Sequence, residues 1–157
     1  MIFVTVGTQD KGFPRLLEEI ERLIIKGVIK EEVIAQIGST SVDLKHIKTF
    51  DYTDMEEFHS YIVKCTFLIT HAGVGSILAG LIEDKKVIAV ARREKYDEHE
   101  NEHQTEICEV FDEMGYVIGC LDANELEDAV QTIEMFTPRK YVRNNEYFCS
   151  LMKSIIG

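Results

Sequence analysis

Five short apolar runs recur along the chain: IFVTV (residues 2–6), EVIAQI (32–37), TFLIT (66–70), VIAVA (87–91) and YVIG (116–119). Each is nearly continuous, with little polar alternation, as expected of strands buried on both faces. IKTF (47–50) reads as a weaker sixth. Helical patterns separate them. In FPRLLEEIERLII, Phe13, Leu16, Leu17, Ile20, Leu23 and Ile24 share one stripe, with Glu18, Glu19, Glu21 and Arg22 opposite, and Pro14 suits the first turn. Further helices are predicted over 54–65, 75–84, about 100–114, 124–136 and about 143–156. Parallel strands need crossover connections, and the crossover helices cover both sheet faces. This alternation therefore predicts a three-layer α/β domain with a mostly parallel sheet.

The 157 residues, 45% of them apolar, suit one domain with one continuous core. Nothing in the interior reads as a linker. The formal net charge of -11 would repel a phosphate backbone, which argues against nucleic acid as the main partner. The opening apolar run is too short for a signal peptide, and no run approaches the roughly 20 apolar residues of a membrane span, so a cytoplasmic chain is expected. Cys65, Cys108, Cys120 and Cys149 lie far apart and beside apolar segments, and are read as buried, reduced thiols.

In a parallel sheet, ligands bind beyond the carboxyl ends of the strands, so the loops after the strands carry the functional expectations. After the first strand, GTQDKGF (7–13) leads into a helix. Gly7 can take a positive φ there, and Thr8 and Gln9 would face an anion at the helix entrance. THAGVGS (70–76) gives a strand end, a small-residue turn and a helix start. His71, Ala72, Gly73, Gly75 and Ser76 would let phosphate oxygens approach free N–H groups and the helix dipole. After VIAVA comes RREKYDEHENEHQTEI (92–107), which contains H-E-x-x-H. As a zinc peptidase site, His99 and His103 would bind the metal, Glu100 would be the base, and Glu125 or Glu127 a third ligand. The plain alternative is a solvated helix start in which Glu98, Glu100 and Glu102 suit the dipole.

Taken together, these loops carry a resemblance. FDYTDMEEFHSYIVKCTFLITHAGVGSILAGLIEDKKVIAVAR (50–92) resembles the nucleotide-sugar half of GT-B glycosyltransferases. KYDEHENEHQ (95–104), MIFVTVGTQDKGFPRLL at the start and QIGSTS (36–41) are similar to short, single-domain chains of glycosyltransferase family 28. That family includes the eukaryotic catalytic subunit that adds the second GlcNAc to the dolichol-linked oligosaccharide, and bacterial counterparts in capsular and exopolysaccharide synthesis.

The resemblance implies a Rossmann-like domain equivalent to the C-terminal half of a GT-B enzyme, with a core over 1–136 and a C-terminal helical segment over 137–157. The implied activity is inverting transfer from a UDP-sugar to a lipid-linked acceptor. The acceptor would be held by a separate membrane-anchored subunit, through which this chain lies at the membrane periphery. UDP-sugar is a substrate on this reading, and neither a cofactor nor a metal is expected.

Gly7, Thr8, Gln9 and the turn from His71 to Ser76 would hold the diphosphate, and the loop from Phe50 to Met55 would lie by the uracil. His103 and Gln104 would clamp sugar hydroxyls, and Arg92 would counter the leaving diphosphate. His71 is the candidate base on this chain, unless the partner supplies one. Two positions depart from the pattern. Ala91 precedes Arg92 where relatives have proline, and Ala79 stands where many have a glutamate for the ribose, which some other group must then hold. The alternatives to this reading are the zinc hydrolase and a noncatalytic regulatory subunit. Tyr147, Phe148, Leu151, Met152, Ile155 and Ile156 form an apolar stripe suited to the chain's own sheet, a partner or a membrane.

Overall fold

The computed structural model describes residues 1–142, 149–150 and 153–154. Six strands, β1 (Ile2–Thr5), β2 (Val33–Gln36), β3 (Lys48–Phe50), β4 (Leu68–His71), β5 (Val87–Val90) and β6 (Ile118–Cys120), form one sheet. Every pairing is parallel, in the order β3-β2-β1-β4-β5-β6, the arrangement of a Rossmann sheet. The weak sixth run is thus a real edge strand. It is short and largely exposed, which is why its hydrophobic signal is faint.

Among the described residues, the sheet is flanked by α1 (Pro14–Lys26), α2 (Met55–Lys64), α3 (Val74–Ile82), α4 (His103–Glu113) and α5 (Leu126–Thr132). Strand residues alternate between the two faces. Ile2, Val4 and Val6 pack with Leu16, Leu17, Ile20 and Leu23 of α1 and with Leu126 and Ala129 of α5. Phe3, Leu68, Val87 and Ala89 pack with α2, α3 and α4 through Ile62, Ile77, Leu81, Ile107 and Phe111. Both faces are therefore dry, and the near-continuous apolar strands follow from that.

Two helices differ from their sequence-based bounds. The helix predicted from about residue 100 begins at His103, and residues 97–102 are turn and bend. The segment predicted as one helix over 124–136 is α5 flanked by two 3-10 turns, Ala123–Glu125 and Ile133–Met135. Cys65, Cys108 and Cys120 are buried and free as expected, whereas Cys149 is exposed. The predicted helix at about 143–156 and its apolar stripe lie outside the described residues, apart from short helical stretches at 149–150 and 153–154. Among the described residues, no helix is long and apolar enough to cross a membrane.

Strand order reverses between β1 and β4, and their carboxyl ends flank a crevice. The loop leaving β1, the turn leaving β4 and the segment leaving β5 meet there.

Candidate functional site

A cleft of about 300 Å³ opens at this switch point, lined by Thr5, Gly7, Thr8, Gln9, Gln36, Thr53, Met55, Phe58, His71, Gly73, Gly75 and Ser76. A neighbouring recess of about 440 Å³ is lined by Thr8, Gln9, Asp10, Lys11, His99 and Glu100. Thr8 and Gln9 belong to both.

The cleft is built on close contacts between two loops. Gly7 has φ +80, and a Cβ there would stand 2.5 Å from His71 Nε2. A Cβ on Gly73 would meet His71 Cε1 at 2.3 Å. The imidazole thus lies between two glycines that leave no space for a side chain. Gly73 also precedes α3, whose first N–H groups, from Val74 to Ser76, have no carbonyl one turn back. Ser76 Oγ lies 3.4 Å from His71 Nε2. The dipole end of α3, its unpaired amides and a small-residue turn therefore converge on one wall, which suits an anion.

His71 is almost wholly buried. Burial, and after it the nearby Arg92 guanidinium, push its pKa down to about 3, so the ring is neutral at physiological pH.

Arg92 does not face the cleft. It is 1% exposed, and its Nη1 donates to the carbonyls of Lys11 (2.8 Å), Gly12 (3.1 Å) and Glu98 (3.2 Å). Nη2 donates to Val6 O, and the guanidinium lies 5.1 Å from the centre of the Phe13 ring. Burial lowers its pKa to about 10, which leaves it charged at neutral pH. The expectation of an arginine opposite a leaving diphosphate is corrected here. The side chain folds back to brace the loop after β1, and its effect on the cleft passes through that loop.

Beside it, Glu98 is 3% exposed and accepts a bidentate pair from Arg15, Nε to Oε2 and Nη2 to Oε1, both at 2.9 Å. Glu98 Oε1 also accepts from Arg93 N–H at 3.0 Å. Glu98 is thus an anchor rather than a solvated acid at a helix start.

His103 and Gln104 are not brought together. Gln104 is 2% exposed. Its Oε1 accepts from Arg92 N–H at 3.0 Å, and its Nε2 lies 3.1 Å from His71 Nδ1. His103, the first residue of α4, points outward and is half exposed beside Glu106 at 3.4 Å. Neighbouring residues on a helix diverge by about 100°, so these two cannot form one clamp. His103 lines neither hollow.

Phe50 likewise turns into the core, stacked on Tyr61 at 5.3 Å, so only its backbone is available to a ligand. Met55 lies at the cleft with 82% of its surface exposed. Ala72 is buried behind the turn. Ala79 lies on α3, and Glu83 beyond it pairs with His59 at 2.8 Å, outside the cleft.

The helical zinc pair is absent because residues 99–102 are not helical. His99 Nδ1 accepts from Asn101 N–H, while Glu125 accepts from Leu121 N–H and Glu127 from Lys26 and Arg22. Among the described residues, no group of three or more His, Cys, Asp or Glu side chains is placed to hold a metal.

Two contributors were not singled out from the sequence. Gln36, a lone polar side chain ending an apolar strand, is buried at the cleft, and its position at a strand terminus was the available signal. Thr40, distant in sequence, accepts from Phe13 N–H at 3.0 Å and so caps the entrance to α1.

The sequence matches the glycosyltransferase family 28 C-terminal domain over residues 1–156. The chain belongs to that family. The family 28 fold is similar to the NMR solution structure of ALG13, with TM-score 0.61, 21% identity, and coverage of 96% of this chain and 93% of that one. It is also similar to the glycotransferase of kitacinnamycin (TM-score 0.59, 13% identity, 98% of this chain and 37% of that one). A third likeness is SnogD from Streptomyces nogalater (TM-score 0.55, 16% identity, 85% of this chain and 38% of that one). At these identities the likeness is one of fold, that of a GT-B C-terminal half. The family 28 chain spans nearly all of the first structure and little more than a third of the other two. No curated protein matches it.

Proposed function

We propose that this family 28 domain binds the diphosphate of a UDP-sugar at the wall formed by Gly7, His71, Gly73 and the start of α3, as the donor-binding subunit of a two-component inverting glycosyltransferase. The observation that carries the reading is the convergence of His71 Nε2 and the free amides of α3 on a cleft at the β1/β4 switch point. Charge developing on the leaving UDP would be stabilised by preorganised donors and the helix dipole, which need no rearrangement as the bond breaks. The uracil would lie along Thr53, Met55 and Phe58, and the sugar toward Thr8, Gln9 and His99.

A GT-B active site lies between two halves, and this chain supplies one fold of that kind. A membrane-anchored partner carrying the lipid-linked acceptor, in capsule or exopolysaccharide synthesis, would supply the other. It would also supply the base that deprotonates the acceptor hydroxyl.

The test is a panel of UDP-sugars, UDP and other nucleoside diphosphates, read by calorimetry and thermal shift. UDP and at least one UDP-sugar are expected to bind, with affinity lost on Gly73→Val. Failure of every uridine nucleotide to bind, alone or with the acceptor subunit, overturns the reading.

A further inference from the structure

The two ends of a carboxamide differ chemically, and the neighbours of Gln104 assign them. Arg92 N–H can only donate, so the Gln104 atom 3.0 Å away is the oxygen. The other end is then the NH₂ group, 3.1 Å from His71 Nδ1. An NH₂ group donates, so Nδ1 must offer its lone pair. A neutral imidazole carries one ring proton, which is left to Nε2. Nε2 is the ring atom that Ser76 Oγ approaches and that a Cβ on Gly7 would strike. The environment keeps the ring neutral, through burial first and the Arg92 charge second, with His99 acting in the same direction.

We propose that Gln104 is a positioning residue that holds His71 as the neutral Nε2–H tautomer, so that the imidazole presents a hydrogen-bond donor to an oxygen of the bound diphosphate. A ring in this state has no lone pair on the cleft side, so His71 is not the base that takes a proton from the acceptor. The sequence-based expectation of His71 as base and Gln104 as sugar clamp is thereby exchanged for one relay, Arg92 N–H to Gln104 to His71 to ligand. The identity of the ligand oxygen rests on the UDP-sugar reading, while the tautomer does not.

Histidine-selective ¹⁵N labelling and long-range ¹H–¹⁵N correlation test this on the ligand-free protein, with His71→Asn identifying the ring. A protonated-type Nε2 and an unprotonated-type Nδ1 are expected. In Gln104→Glu, a carboxylate accepts both from Arg92 N–H and from the ring, so either the proton should move to Nδ1, with UDP affinity falling at least tenfold, or the ring should charge, with both nitrogens of protonated type and the Nε2–H donor and UDP affinity kept. Gln104→Met should give a mixture of tautomers. A wild-type ring with its proton on Nδ1 overturns the proposal even if neither variant folds. A folded Gln104→Glu or Gln104→Met that keeps the wild-type pattern overturns the positioning role. If the tautomer and its response hold but UDP leaves the His71 signals unmoved, the relay stands and the UDP reading falls.

Discussion

A Cβ on Gly7 would stand 2.5 Å from Nε2 of His71, so the loop leaving β1 and the end of β4 are closed against each other at glycine-only distance. The wall of the cleft is made by that closure. Gly7→Ala adds a methyl group at this contact and also strains a residue at φ +80. The expected cost is about 1–3 kcal/mol, which for a domain of this size is a fall of several degrees in melting temperature. Uridine-nucleotide affinity should drop with it. Gly75 is the control. Nothing lies within 4 Å of a Cβ there, so Gly75→Ala should leave the melting temperature unchanged or slightly raised while crowding the amides that a phosphate would approach.

Arg92 reaches the carbonyls of Val6, Lys11, Gly12 and Glu98 from one guanidinium. Arg92→Lys keeps the charge but loses the planar fork, and it should leave buried acceptors unpaired. Urea unfolding should show a loss of about 2–4 kcal/mol. If Arg92→Lys matched wild type in stability and impaired only ligand binding, the side chain would be acting on the diphosphate and the brace assignment would be wrong.

The strand ends were legible because apolar runs buried on both faces announce parallel strands, and small polar loops after them announce the ligand edge. Gly7, His71, Gly73 and Ser76 could be found in that way. The directions of Arg92 and Gln104 could not. Which way a side chain turns at a strand or helix end depends on partners remote in sequence: Val6 and Gly12 lie 86 and 80 positions from Arg92, and His71 lies 33 from Gln104. Glu98 is hidden from the sequence for the same reason. Within EKYDEHENE it looks like one more solvated acid, and only Arg15, 83 positions away, makes it a buried partner. The start of α4 is ambiguous in the sequence because acidic residues at 98–102 suit a helix N-terminus as well as the turn they form.

That turn decides the H-E-x-x-H pattern. Zinc needs His99 and His103 on one helical face, and the helix starts only at His103. The purified protein should therefore show the same melting temperature with and without a strong chelator. His99→Ala should not change its metal content by mass spectrometry. Stoichiometric zinc lost on His99→Ala would require residues 99–103 to fold differently from the arrangement described.

Stability should also record the burial of His71. Its ordinary pKa of 6.5 falls to about 3 in the folded chain, through burial first and the Arg92 charge second. A group with a depressed folded pKa contributes stability above its unfolded value and loses that contribution as pH falls toward the folded one. Below pH 6.5 the unfolded chain takes up a proton at this site that the native chain refuses. Linkage then gives a loss of roughly 2 kcal/mol between pH 6.5 and 4.5 from this one residue. The carboxylates held low by ion pairs act in a lower window. Glu31, beside the terminal ammonium, and Glu127, beside Lys26 and Arg22, lose their contribution only as pH falls below their ordinary 4.5. Urea titrations of wild type and His71→Asn across pH 6.5 to 4.5 isolate the contribution of this residue. The variant should start less stable and show a slope flatter by about one proton at the acid end of that range. Equal slopes would mean that His71 titrates normally in the folded protein, and that its ring is open to water rather than enclosed between Gly7 and Gly73.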